Sequence, residues 1–227
     1  MDFYYVILIG PALLLTMWAQ WRLKSTFSKY SNVPCSNGIS GSKTAAALLQ
    51  ANNIRDVKIG PVPGSLSDHY APAEKQIGLS EPVFNVSSIA AVGVAAHEVG
   101  HAIQYATGYK ALAIRAPLRR FSGIASTYGP YIAMAGLAMP DKPFLVDIGI
   151  ALFSVAVLCS IMTLPVEFNA SSRALAALRD NKLLTTDDEL KGAKKVLSAA
   201  ALTYVAGALT NFMSLVRLIL LKKNRRR

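Results

Sequence analysis

The residues best suited to chemistry stand together at His97-Glu98-Val99-Gly100-His101. Positions i and i+4 of a helix share one face, so His97 and His101 can direct imidazole nitrogens at one ion about 2.0–2.1 Å away. Glu98, one residue round the helix, is badly placed to join them as a ligand. It is well placed to take a proton from a water on the metal, which zinc brings toward a pKa of ~7. The competing reading is a pair of buried, hydrogen-bonded histidines. With only 3 histidines in 227 residues, the pattern has little chance of arising by accident, and a single zinc ion is expected.

Other candidates are weaker. His69 lies in Ser67-Asp68-His69-Tyr70-Ala71-Pro72, where a solvated turn histidine is an equally good reading. Gly41-Ser42-Lys43-Thr44 lacks the Gly-Lys pair and glycine spacing of a phosphate loop. Cys35 falls in a polar loop and Cys159 in an apolar run, so no disulfide framework is implied.

The histidines need a helix, and the spacing predicts one from Ser87 or Ser88 to about Thr107, stopped by Gly108. Around it, residues 25–118 have mixed polarity and no spanning run. A helix capped by Ser40 or Ser42 runs to Asn52 and Asn53. Strands are predicted at Val57–Val62 and Gln76–Leu79, the second pairing back on the first, with His69 at their connection. This is a small α+β, zincin-like module.

The rest of the chain is apolar. The composition is 52% hydrophobic and 16% charged, which directs attention to a membrane. Phe3 to Trp21 has no charged residue and is followed by Arg22 and Lys24, as expected of a retained anchor (residues 1–24) rather than a signal peptide. Phe121–Pro140 is uncharged, Phe144–Leu164 carries only Asp147, and Asp141-Lys142-Pro143 joins them, so residues 119–164 read as a transmembrane hairpin. Residues 165–195 are polar and helical, with a helix start near Thr186-Asp187-Asp188. Residues 196–227 form a last apolar helix, interrupted by Asn211 and Arg217, with a basic tail. The fold class is a mainly α membrane protein with about four transmembrane helices. The net charge of +11 gathers beside the apolar runs, at Arg22, Lys24, Lys29, Arg115, Arg119, Arg120 and Lys222–Arg227. That distribution suits an anionic membrane face and argues against nucleic acid.

The run Ile89–Gln104 around the histidines, with the later Leu164-Pro165-Val166-Glu167-Phe168-Asn169-Ala170-Ser171-Ser172-Arg173-Ala174, resembles the YugP-like family of neutral zinc metallopeptidases, over nearly the whole chain. That family is similar in plan to the HtpX-type membrane peptidases, whose third zinc ligand is a glutamate on a second helix. The resemblance implies Glu167 as this ligand, a gluzincin-like set with one coordination position left open. The HtpX-type pattern has an aspartate four residues after that glutamate. Here the position is Ser171, and Asn169, Ser171 or Arg173 are candidates to take over its orienting role. Arg173 pairing with Glu167, or anchoring at the membrane surface, is a further option. In peptidases of this type an exposed strand near the metal pairs with substrate, and His69 or Tyr70 is a candidate oxyanion contact.

The implied activity is peptide hydrolysis with Glu98 as general base, on a polypeptide substrate, by a multi-pass protein of a bacterial cell membrane. The alternative is a non-catalytic zinc-binding membrane scaffold or sensor. A zinc transporter is a poorer fit, because Asp147, Asn211 and Arg217 are too few polar groups within the spans. Topology supplies a check: two crossings separate the histidines from Glu167 and return the chain to one side. Basic flanks make that side cytoplasmic, with the N-terminus outside. One feature pulls the other way, since a complete last span leaves the basic tail outside.

Overall fold

The computed structural model describes residues 3–225, apart from the side chain of Arg120. Met1 and Asp2 of the expected anchor, Arg226 and Arg227 of the expected tail, and the Arg120 side chain lie outside the described residues. A π-helical stretch, Tyr5–Ile9, leads into α1 (Gly10–Ser31). There follow α2 (Gly41–Ala51), β1 (Lys58–Val62), β2 (His69–Ala71), β3 (Gln76–Ser80), a short α3 (Glu81–Phe84) and α4 (Ile89–Ala106). Three long helices complete the chain: α5 (Lys110–Ala138), α6 (Phe144–Asp180) and α7 (Asp187–Arg225). Two compact units result, one of residues 1–20, 110–165 and 202–227, the other of residues 21–109 and 166–201.

In the first unit α5 and the start of α6 form a hairpin whose backbones nearly touch. A methyl group at Gly136 would stand 2.5 Å from Val146 N, and one at Gly129 would stand 2.8 Å from Phe153 Cβ, so small residues set this spacing. Ala125, Ala133, Phe153, Ala156, Val157 and Leu218 are buried together. Polar groups within the helices find partners: Asn211 Nδ2 donates to Ser160 Oγ at 2.7 Å, and the hydroxyls of Thr16 and Thr210 are 3.1 Å apart. At the end of α7 the Arg225 guanidinium donates to Gly136 O and, at 2.9 Å, to Met139 O, capping the last carbonyls of α5. Lys222 pairs with Asp147, and Asn224 Nδ2 donates to Tyr4 OH at 2.9 Å. The end of α7 therefore lies with the hairpin turn and the first residues of the chain.

Among the described residues, three helices are long and apolar enough to cross a membrane: Tyr5–Ser31, Phe144–Asp180 and Asp187–Arg225. The fourth expected span, within α5, is a continuous helix but falls short in composition. Ser122, Ser126, Thr127, Tyr128, Pro130 and Tyr131, with Gly123, Gly129 and Gly136, dilute its apolar content. Large apolar side chains face outward in this unit, with Leu14 67%, Met17 69% and Tyr131 72% exposed. No aqueous globular protein sustains such a surface without covering it.

The second unit has a core of Leu48, Ile77, Leu79, Val83, Val92, Val99, Leu178 and Val196. Ser40 caps α2, accepting from Lys43 N at 3.4 Å. The two expected strands pair, but in parallel and with a third beside them: the order is β1-β3-β2, with β1 and β3 parallel and β2 antiparallel to β3. The connection after β1 itself contains β2, so the chain reverses twice, and Gln76–Ser80 re-enters beside β1 in the same direction. Ser88 caps α4, accepting from Ala91 N at 3.2 Å. Gly108, at φ 61°, ends that helix with Gly108 N on Tyr105 O and Tyr109 N on Gln104 O, a Schellman pattern. Pro165 does not end α6, which continues to Asp180. α7 begins with a reciprocal capping box: Thr186 N donates to Glu189 Oε2 at 3.1 Å, and Glu189 N to Thr186 Oγ1 at 3.2 Å.

Candidate metal centre

His97, His101 and Gln104 share one face of α4 by helical spacing. Opposite them the later part of α6 supplies Glu167, Asn169 and Ser171. The two helices meet at Gly100, where a methyl group would sit 2.5 Å from Ala170 O. That backbone contact lets a short carboxylate side chain reach the histidines. Glu167 Oε2 is 3.4 Å from His97 Nε2 and 3.6 Å from His101 Nε2. Glu167 is nearly buried, while the two imidazoles keep partial access to solvent.

Hydrogen bonding sets which ring nitrogens face the carboxylate. Gln104, fully buried, donates its Nε2 to Val166 O at 2.8 Å and to Asn169 Oδ1 at 3.0 Å. Both amide protons are used, so Oε1, 3.0 Å from His101 Nδ1, accepts. His101 therefore carries a proton on Nδ1 and turns Nε2 toward Glu167, where loss of any Nε2 proton exposes a lone pair for a metal. His97 Nδ1 lies 3.1 Å from Ser171 Oγ, leaving its Nε2 likewise toward Glu167. Asn169 Oδ1 is held in turn by Arg173 Nε at 2.8 Å, and the Arg173 guanidinium lies 6.0 Å from the Tyr109 ring centroid.

The donor set fits zinc. Four tetrahedral ligands about 2.0–2.1 Å from an ion are separated by about 3.3–3.4 Å. The two imidazole–carboxylate separations approach that value, and all three ligand atoms lie within 4.8 Å of one another. Two neutral nitrogens and one carboxylate match the borderline preference of this ion.

Glu98 is buried beside this group, 6% exposed. Burial pushes its carboxyl above the ordinary carboxylate range, opposed by the charges of His97 and His101 and assisted by those of Asp68 and Glu167. At His101 burial acts downward, but the hydrogen bond with Glu167 and the charges of Glu98 and Glu167 outweigh it and raise the imidazole.

His69 is not part of the cluster. It is exposed in β2, with Nδ1 on Ser67 O at 2.9 Å. It belongs to an edge strand rather than to the turn expected of it. Of the three candidates for the missing aspartate's role, Ser171 touches His97. Asn169 acts at one remove through Gln104, and Arg173 holds Asn169. Sequence reasoning gave Gln104 no role. Its signal was a polar residue on the histidine face of an otherwise apolar helix. Asp68 also escaped notice; its carboxylate accepts from Ser80 N at 2.7 Å and Ser80 Oγ at 2.8 Å.

A family model described as "Putative neutral zinc metallopeptidase" matches residues 5–223. The chain belongs to this family. It is 43% identical over 222 residues to "Putative membrane protease YugP" of Bacillus subtilis (strain 168), covering 98% of each protein. No solved structure matches the chain. Within the family's matched span lie both the histidine helix and the Glu167 segment, and the three apolar helices accord with the relative's name.

Proposed function

We propose that this chain is a membrane-embedded zinc endopeptidase in which His97, His101 and Glu167 hold one zinc ion and Glu98 is the general base. The observation that carries the reading is the convergence of the three donors with both Nδ1 atoms turned to other partners. A zinc ion held there supplies a Lewis acid for the scissile carbonyl and lowers the pKa of an adjacent water. Glu98 takes the proton of that water and returns it to the leaving amine, a task for which a carboxyl raised by burial is suited. The outer edge of β2 offers a backbone for an extended polypeptide, with His69 or Tyr70 as the oxyanion contact.

The membrane arrangement follows from the same convergence. His97 and Glu167 share one unit, so an even number of crossings separates them. α6 is one crossing, and α5 supplies the other despite its diluted composition. Arg22, Lys24, Arg115 and Arg119 flank the apolar runs on the active-site side, making that side cytoplasmic in a bacterial cell membrane and the protein multi-pass. The hairpin turn, the first residues and the end of α7 then lie outside, so α7 spans completely and its basic end is an exception to the charge bias.

Replacing Glu98 by Gln tests the mechanism. Expected are unchanged zinc content, measured by atomic absorption, and hydrolysis of a casein-like substrate slowed by a factor of about 10²–10⁴. Undiminished cleavage would remove Glu98 as the base and favour a zinc-holding scaffold or sensor.

A further inference from the structure

Away from the metal centre, the first unit contains a cavity of about 370 Å³ whose lining comes from α5, α6 and α7. Arg115 and Arg119, one helical turn apart on α5, both line it. Polar groups surround them, among them Thr163, Tyr204 and Asn211, and among the described residues that line it none is acidic. Its depth is set by α6, on which the lining runs from Ala156 to Thr163. The helix rises about 28 Å between Phe144 at the hairpin turn and Thr163, close to the ~30 Å thickness of a hydrocarbon core. The arginines thus stand at headgroup level on the membrane face opposite the hairpin turn, while α5, α6 and α7 carry exposed apolar side chains such as Ile124, Leu158 and Phe212.

We propose that this cavity binds the phosphoryl headgroup of an anionic phospholipid, Arg115 and Arg119 engaging the phosphate while the acyl chains lie along the apolar helix faces. Basic pockets between transmembrane helices recognise such headgroups, and a planar guanidinium pairs a phosphate through two parallel hydrogen bonds. Two arginines lining one space favour a headgroup of net negative charge over a zwitterionic one, whose ammonium would meet like charge. The inference rests on membrane insertion and is independent of zinc and of peptidase activity.

The test uses the full-length protein in nanodiscs made with phosphatidylglycerol and phosphatidylcholine in equal parts, with retained lipid counted by native mass spectrometry. The wild type is expected to retain phosphatidylglycerol selectively. Arg119→Gln, at an exposed position that tolerates the change, is expected to weaken that retention about fivefold, and Arg115→Gln with Arg119→Gln roughly thirtyfold. Lys24→Gln with Lys110→Gln removes as much charge at exposed positions on the same membrane face outside the cavity and is expected to leave retention unchanged. Equal loss in this control would reduce the effect to general surface charge and overturn the site. Full retention in Arg119→Gln would overturn it too. Displacement of the lipid by inorganic phosphate alone would overturn the lipid as its source.

Discussion

Gln104 is the residue whose replacement separates metal positioning from packing. Its amide joins three groups at once: His101 Nδ1, Val166 O beside Glu167, and Asn169 Oδ1. In Gln104→Met the volume is nearly kept and all three bonds go. His101 loses the acceptor that holds its proton on Nδ1, so its lone pair no longer points only at the centre. Loss of such a partner weakens metal affinity by about 10–100-fold. The buried Val166 oxygen and the half-buried Asn169 Oδ1, which keeps Arg173, each lose a donor, which destabilises the metal-free protein by about 1–3 kcal/mol.

Gln104→Glu dissects the two effects. One carboxylate oxygen still accepts from His101 Nδ1, but the other now faces Val166 O and Asn169 Oδ1, both acceptors. Zinc affinity is expected to match or exceed that of the parent while stability falls at least as far as in Gln104→Met. The assay is competition for zinc against a chromophoric chelator on detergent-solubilised protein, beside thermal unfolding of the metal-free form. If Gln104→Met unfolds earlier yet binds zinc as tightly as the parent, Gln104 only packs the two helices and the tautomer argument is wrong.

Gly100→Ala drives a methyl group into Ala170 O and is expected to cost about 1–3 kcal/mol, with zinc occupancy lost because Glu167 is displaced with its helix; equilibrium unfolding and metal content report both. Burial raises the Glu98 pKa in the folded state, so its anion is disfavoured there: the penalty is absent below the unfolded value and complete above the folded one. Metal-free Glu98→Gln should therefore melt higher than the parent at about pH 8, with the difference gone near pH 4 in calorimetry. Glu189→Gln loses the charged acceptor shared by Ser36 N, Thr185 N and Thr186 N and should destabilise by about 2–3 kcal/mol without altering zinc binding. His69→Ala should lower kcat with KM little changed; unaltered turnover would remove His69 as an oxyanion contact.

How far the sequence could be read depended on the range of the forces involved. The α4 boundaries were legible because Ser88 and Gly108 act on the backbone beside them. His97 and His101 were legible because helical spacing alone brings them together. Glu167 was not derivable that way: 66 residues beyond His101, it is reached through the contact of Gly100 with Ala170, and only resemblance to a family pointed to it. The pairing of β1 with β3 was legible, but the strand between them in the chain and the parallel direction were not, for a related reason. A three-residue β2 carries too little alternation to announce itself, yet its presence decides that β1 and β3 run parallel.

Gln104 shows most clearly why the surroundings of the metal ligands stayed hidden. Where an HtpX-type peptidase has a carboxylate, this chain has Ser171 on one histidine and an amide on the other, both uncharged. A carboxylate partner makes an imidazole more basic and strengthens its bond to the metal, whereas a hydroxyl or amide fixes orientation and adds no charge. The centre then holds Glu167 and Glu98 as its nearby acids, with Asp68 engaged by Ser80. Adding an acid at Ser171 would place a third carboxylate beside those two and raise the Glu98 pKa further by like-charge repulsion. On this reasoning neutrality at Ser171 and Gln104 protects the base, and Ser171→Asp should bind zinc more tightly while moving the acid limb of kcat/KM to higher pH. An unmoved limb with tighter zinc would show that orientation alone selects these partners.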